Sequence, residues 1–273
     1  MSYGEIATGI GVAAALYGSH RYAWWRPPVT WQTPRVLMYH MISEHRPGTR
    51  FNKLRVPPKA FRQQVAWLGK KGFSFGFASE LFGNKPPSGK IVCLTFDDGY
   101  RDNLLEADKV LAEFDGKATL YLVEERDGGW SSKKKTHHGD DELGSEPKLS
   151  DDEVRELLTT GRWELGGHTR THANLNQLSP EEAKEEIVSA KETFREKFSC
   201  EAPTFAYPFG IFNNEHVTLV REAGYLGAMT TDAGISPLPL QDPYRICRIK
   251  VSGKEGMLGF LMRMRSGKRG LTK

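Results

Sequence analysis

Cysteine is scarce in this chain: 273 residues hold three, Cys93, Cys200 and Cys247, far apart and odd in number. Such spacing excludes a disulfide framework and a cysteine-based zinc knuckle, and it suits a reducing compartment. An excess of one charge sign is also missing, because 38 Lys and Arg stand against 34 Asp and Glu for a net charge of +4. Outside the C-terminus the basic residues are interspersed with acids, so the chain lacks a nucleic-acid footprint and no nucleic-acid partner is expected. No Pro/Gly/Ser-rich linker divides the chain and no solenoid-length repeat occurs. One large α/β domain is the expectation. A run of about 20 apolar residues, which a spanning helix needs, is absent too.

What approaches such a run is residues 6–18, small and apolar, followed by His20, Arg21, Tyr22, Trp24, Trp25 and Arg26. Residues 1–5 contain Glu5 and no basic side chain, whereas a secretory signal opens on positive charge. A membrane anchor or interfacial helix is therefore expected ahead of a signal peptide; the alternative is an Ala/Gly-rich helix packed on the domain. Residues 1–33 form this hydrophobic or interfacial segment, 34–254 the main domain, and 255–273 a basic amphipathic tail suited to anionic lipid or to solvent.

Within the main domain the pattern alternates. Val36 to Ile42 reads as a strand, Pro58 to Lys71 as an amphipathic helix closed by Gly72, and Phe73 to Phe75 as a short strand. Ile91 to Phe96 follows, then a helix from Arg101 to Phe114 and a strand from Ala118 to Val123. Residues 124–148 interrupt the rhythm with Lys133-Lys134-Lys135 and His137-His138, the composition of a solvated loop or a lid. Capping boxes at Ser150 and Ser179 start two helices, with the strand Trp163 to Leu165 between them. Strands Thr204 to Phe209, Leu226 to Thr231 and Tyr244 to Val251 complete about eight, with a helix from Asn214 to Ala223. This is the rhythm of an α/β barrel, incomplete or distorted.

Three strand ends carry chemistry-bearing residues. The apolar strand of residues 91–96 stops at Asp97-Asp98-Gly99, where a turn at Gly99 could let both carboxylates face one pocket. A helix cap by either aspartate is the competing use. After Leu165 comes Gly166-Gly167-His168-Thr169-Arg170-Thr171-His172. Histidines four apart share one face if the loop is helical, and with Asp98 or Asp97 they make a two-histidine, one-carboxylate set with positions left open for water and substrate. Third, Ala206-Tyr207-Pro208-Phe209-Gly210 breaks its strand at proline, where a backbone N–H of Phe209 or Gly210 could meet a developing oxyanion.

In this order and at these separations, Thr95-Phe96-Asp97-Asp98-Gly99, His168-Thr169-x-x-His172 and Tyr207-Pro208-Phe209-Gly210 resemble the polysaccharide deacetylases of carbohydrate esterase family 4, the NodB-homology group, over roughly residues 35–251. Val36-Leu37-Met38-Tyr39-His40 and Phe205-Ala206-Tyr207-Pro208 further resemble the branch of biofilm poly-N-acetylglucosamine deacetylases. The resemblance implies a distorted (β/α)7 barrel and a hydrolase that removes acetyl from an acetamido sugar. It implies Asp97 as general base, and Asp98, His168 and His172 as ligands of a divalent metal, zinc first and cobalt, nickel or manganese next. The Phe209 N–H becomes an oxyanion donor and Thr169 a hydrogen-bonding brace of the His168 loop.

Two family features are missing. Ala206 stands where many members carry an arginine against the base, so Arg248, or failing it Arg245, is the candidate source of that charge. No histidine follows His216, so the usual late Leu-x-His acid is absent and His40 is the candidate proton donor to the leaving amine, with a supporting role as the alternative. Rival expectations are a degenerate carbohydrate-binding barrel and a metal-dependent amidase acting on non-sugar amides. The expected partners are an N-acetylated glycan or glycolipid and a membrane surface. Arg21, Arg26 and Arg35 after the apolar run place the domain on the cytoplasmic side of a bacterial inner membrane, where lipid-linked sugars or lipopolysaccharide precursors are the substrates within reach.

Overall fold

A computed structural model of the chain describes residues 3–83, 88–126 and 142–270. The described residues form eight parallel strands: β1 (Arg35–Tyr39), β2 (Ser74–Phe75), β3 (Ile91–Asp97), β4 (Ala118–Leu122), β5 (Trp163–Gly167), β6 (Thr204–Ala206), β7 (Gly227–Ala233) and β8 (Ile246–Lys250). β1 pairs with β8 on one side and β3 on the other, so seven strands close a ring and β2 pairs only with the start of β3. The ring is loosest between β5 and β6, joined through Gly167 and Phe205, and β7 pairs with β8 across a register shift. This is the distorted (β/α)7 barrel that the motifs implied.

Helices α2 (Pro58–Lys70), α3 (Asp108–Glu113), α4 (Asp151–Thr159), α5 (Pro180–Phe198) and α6 (Asn214–Glu222) connect the strands, and α7 (Met257–Ser266) follows the last. The predicted helix from Arg101 begins as a π-helical turn, Asn103–Ala107, before α3. Ser150 and Ser179 form the expected capping boxes, and Asn213 forms a third at α6.

Strand residues alternate as the pleat requires. Val36, Cys93, Tyr121, Ala206, Met229 and Ile246 fill the ring, with Ala78 and Leu81 of the turn Ala78–Phe82 packed among them. Leu37, Tyr39, Leu94, Phe96, Leu120 and Leu165 face outward onto the helices. Phe96, fully buried, stacks on Tyr39 at 5.3 Å and lies 5.2 Å from Trp163. Its truncation to alanine would cost about 3–5 kcal/mol.

Both ends of the chain are helical, and the tail packs more closely than its composition suggests. The N-terminal run is one helix, α1 (Tyr3–Tyr22), and among the described residues no helix is long and apolar enough to cross a membrane. The tail is not a free basic segment: α7 buries Phe260 and Met264 in the main core, Phe260 against Trp67 of α2, and the Arg265 carbonyl accepts from Val29 N. Residues 142–148 of the charged insertion are pinned as well, because Glu146 accepts hydrogen bonds from Arg46 and Arg55, and Glu142 from the backbone of Arg50 and Phe51. The Lys133-Lys134-Lys135 run and His137-His138 lie outside the described residues.

Candidate active site

The three strand-end motifs converge at the C-terminal edge of the barrel, around a cleft of about 1020 Å³. Asp97 is the last inward-pointing residue of β3. Asp98 would point outward if the strand continued, but left-handed conformations at Asp98 (φ 83°) and Gly99 (φ 76°) turn its carboxylate back to the same cleft. The Asp98 N–H donates to the Tyr121 carbonyl at 3.0 Å and holds this turn. Neither aspartate caps the following helix, where Asp102 occupies the cap position.

His168 and His172 reach the cleft by another route than the expected one. Residues 168–172 are not helical; Thr169 (φ 65°) and His172 (φ 58°) take left-handed conformations that fold the loop back and bring the two ring centroids to 5.0 Å. Phe209 has φ 60° and sets its ring edge-on to His172 at 4.5 Å. Left-handed non-glycine residues cost of order 1–3 kcal/mol each, and four of the eight among the described residues ring this cleft. The concentration of strain marks a place where chemistry rather than stability set the backbone.

Three donor atoms meet at the centre. His168 Nε2 and His172 Nε2 lie 3.3 and 3.2 Å from Asp98 Oδ1, and the three groups are buried with their ligand atoms within 4.8 Å of one another. His168 Nδ1 is 2.7 Å from the Ala206 carbonyl, a contact that places the proton on Nδ1 and leaves the Nε2 lone pair facing Asp98. The donor chemistry fits a divalent metal ion: ligand bonds near 2.1 Å at tetrahedral to octahedral angles put neighbouring donor atoms about 3.0–3.4 Å apart. Burial opposes ionisation of Asp98, but His172 and His168 outweigh it and hold the carboxyl well below the usual range. Burial lowers the His172 pKa more than Asp98 raises it, so the ring stays neutral, as a ligand must.

Asp97 sits beside this cluster in a different environment. Arg248, fully buried on β8, donates Nη1 to Oδ1 at 2.7 Å and Nη2 to Oδ2 at 2.8 Å. The guanidinium is itself fixed by the Thr95 hydroxyl and the Thr230 carbonyl. Desolvation pushes the Asp97 pKa up, and the Arg248 charge and hydrogen bonds bring it below the ordinary value. Arg245, the alternative, is turned away to Asn214 and Asp242. The arginine missing at position 206 is thus replaced in space by one 42 residues later in the sequence, reading from Ala206 to Arg248.

His40, just past β1, lines the cleft with Nε2 4.0 Å from Asp98 Oδ2, and Asn103 Nδ2 donates to its carbonyl. His216 is remote from the cleft: it occupies the first turn of α6 and accepts from its own cap residue, Asn213 N.

Thr169 does not brace the loop as expected. Its hydroxyl is buried without a hydrogen-bond partner among the described residues, whereas Glu186 of α5 accepts from the Thr171 N–H at 2.8 Å and the Thr171 hydroxyl at 2.6 Å. The Glu186 carbonyl also takes the Arg170 N–H. The signal for Glu186 was present in the sequence: it falls in the buried stripe of α5 with Ala183, Ile187, Ala190 and Phe194, where an unpaired carboxylate is not tolerated.

The chain is similar to known proteins over most of its length. The family Polysaccharide deacetylase matches residues 84–228. YxkH of Bacillus subtilis, assigned as a polysaccharide deacetylase, is 32% identical over 228 residues, 82% of this chain and 72% of its own length. The poly-beta-1,6-N-acetyl-D-glucosamine N-deacetylase of Escherichia coli is 24% identical over 235 residues, 74% of this chain but 34% of that protein. Among solved structures, the Streptococcus pyogenes deacetylase PplD in complex with acetate superposes with a TM-score of 0.71 at 25% identity, covering 87% of this chain and 99% of that one.

Proposed function

Because the chain belongs to the polysaccharide deacetylase family, we propose that it hydrolyses the N-acetyl group of an acetamido sugar, with Asp97 as general base and Asp98, His168 and His172 as ligands of a divalent ion, zinc in the first place. The observation that carries the reading is the split between two adjacent carboxylates: Asp98 faces two imidazoles while Asp97 is held apart by Arg248. Asp98, His168 and His172 would hold the ion, which when bound would polarise the amide carbonyl and lower the pKa of water. Asp97 accepts a proton from water as the water oxygen bonds to the carbonyl carbon. Arg248 holds the carboxylate ionised and aimed into the cleft. The Phe209 N–H, turned by its left-handed backbone, donates to the developing oxyanion. The C–N bond then breaks, His40 gives its proton to the departing amine, and acetate and the free amino sugar leave.

The intact base, its arginine and the three ligand residues favour hydrolysis over a non-catalytic glycan-binding role. Relatives named for poly-N-acetylglucosamine favour a sugar over other amides. The cytoplasmic side of a bacterial inner membrane, with a glycolipid or lipopolysaccharide intermediate as substrate, is favoured by Arg21, Arg26 and Arg35 after the apolar run, and contact with the membrane itself by α1. Its Ile10, Val12, Leu16 and Tyr17 are exposed, as are Trp24 and Trp25 beyond it.

Acetate release from polymeric, lipid-linked and lipopolysaccharide-core N-acetylhexosamines, with and without added metal, tests the activity. His168→Ala and His172→Ala should each lose bound metal by elemental analysis and lose acetate release while far-UV circular dichroism is unchanged. Deacetylation at full rate by the double variant would sink the metal reading.

A further inference from the structure

The cleft changes character from floor to mouth. At the floor the carboxylates are matched, Asp97 by Arg248 and Asp98 by the two histidines. Among the described residues, the remaining charged side chains of the wall are six cations, Arg21, Lys53, Lys250, Lys254, Arg263 and Arg269, against one carboxylate, Glu255. Glu255 is already shared, accepting two hydrogen bonds from Arg263 at 2.7 and 2.8 Å and another from Arg269.

This wall is assembled from distant parts of the chain. The Gly253 N–H donates to the Lys53 carbonyl at 3.0 Å and sets the segments of Lys53 and Lys254 side by side. Arg26 Nη2 donates to the Gly270 carbonyl at 2.7 Å, and Gly270 lies against the His20 carbonyl, so the end of the tail is fastened to α1. Arg269 thereby faces Arg21, and burial followed by the Arg21 charge lowers its pKa. Like charges gathered on a low-dielectric wall repel one another and focus a positive potential on the opening. A neutral acetamido glycan offers nothing to relieve that repulsion.

We propose that the cleft mouth built by α1, the turn at residues 252–255 and the C-terminal tail is a subsite for an anionic group of the phosphate class, carried by the acetamido-sugar substrate itself. The subsite rests on the deacetylase reading for the sugar and on the charge arrangement for the anion. Exposed Ile10 lies two turns along α1 on the same face as the wall residue Tyr17, so a lipid joined to that phosphate would find apolar side chains beside it.

The test is calorimetric titration of the full-length chain with N-acetylglucosamine, its 1-phosphate and a dodecyl-phosphate-linked N-acetylglucosamine, in parallel with acetate release from each. The phosphate-bearing sugars should bind at least about tenfold more tightly than the neutral one, a difference of about 1.4 kcal/mol. That advantage should shrink with added salt. It should vanish in Arg21→Ala/Lys53→Ala/Lys254→Ala and persist in Lys53→Arg/Lys254→Arg. Equal affinity for neutral and phosphorylated sugar overturns the proposal. An advantage that survives the triple variant also overturns it, because the cations of α1 and of the paired segments at Lys53 and Lys254 then contribute nothing to it. Tighter binding of the dodecyl compound than of the 1-phosphate would identify a lipid-linked source, and equal binding a soluble sugar phosphate; both support the subsite. If the triple variant loses phosphatidylglycerol vesicles yet keeps the sugar-phosphate preference, the cations serve a membrane and the subsite is refuted. Acetate release without a phosphate preference would leave the deacetylase reading standing alone, and the preference without acetate release would do the reverse.

Discussion

Replacing Arg248 by methionine separates its effect on the fold from its effect on the base. The guanidinium is fully buried and makes two hydrogen bonds to Asp97, one to Thr95 and one to Thr230. Removing one partner of a buried ion pair typically costs about 3–5 kcal/mol, because the other charge is left desolvated. With an unfolding entropy near 2.1 cal/mol/K per residue, a chain of this length should then melt about 5–9 °C lower. Adding Asp97→Asn removes the stranded charge, so the double variant should recover a large part of the loss and the cycle should show strong coupling. On the chemistry, the Arg248 charge and hydrogen bonds that outweigh the desolvation of Asp97 would be gone, and its pKa must rise. The acid limb of the pH–rate profile should move upward accordingly, with metal content unchanged. Arg248→Lys, keeping the charge without the two-pronged contact, should fall between. Differential scanning calorimetry and acetate release across pH measure both effects. An Arg248→Met protein that melts with the parent, or whose acid limb stays in place, would refute the reasoning.

Glu186→Gln keeps the shape of the Thr171 contact but removes its charge, and Glu186→Ala removes the brace; metal affinity measured by competition with a chelator should fall by about 10-fold to 100-fold in the alanine variant and less in glutamine. His40→Ala should lower the rate and change the alkaline limb of the pH–rate profile, where a general acid loses its proton, while metal content stays normal. An unchanged profile would make His40 a supporting residue. Asp102 has its carboxyl pushed up to about 6, mainly by burial. A carboxyl raised in the fold above its usual 3.8 favours folding at low pH, and that contribution is lost as pH rises from about 4 through about 6. Asp102→Asn should therefore raise the melting temperature above pH 6 by an amount worth at most about 3 kcal/mol and flatten its pH dependence, as thermal melts at pH 4 and 8 would measure.

The sequence by itself determined the barrel, because parallel strands buried on both faces leave continuous apolar runs, and because capping serines and a closing glycine mark where helices begin and end. It also placed the candidate residues at strand ends, since Asp97-Asp98-Gly99, the His168 loop and the turn at Pro208 each interrupt a strand in the same sense. Local pattern could not say how the donors converge. The helical loop expected for His168 and His172 is replaced by two left-handed residues, a conformation that nothing in the residue types Thr and His dictates and that neighbouring β6 and α5 impose. The brace falls to Glu186 rather than Thr169 for the same reason: partners 15 residues apart are chosen by how α5 packs on β5. Arg248 was a candidate because it lies on the last strand, but only closure of the ring between β8, β1 and β3 brings it against Asp97, 151 residues away. Local pattern treats the two chain ends as separate segments. Tertiary packing instead joins them, through α7 in the core and Gly270 against α1, into one basic wall of the active-site cleft.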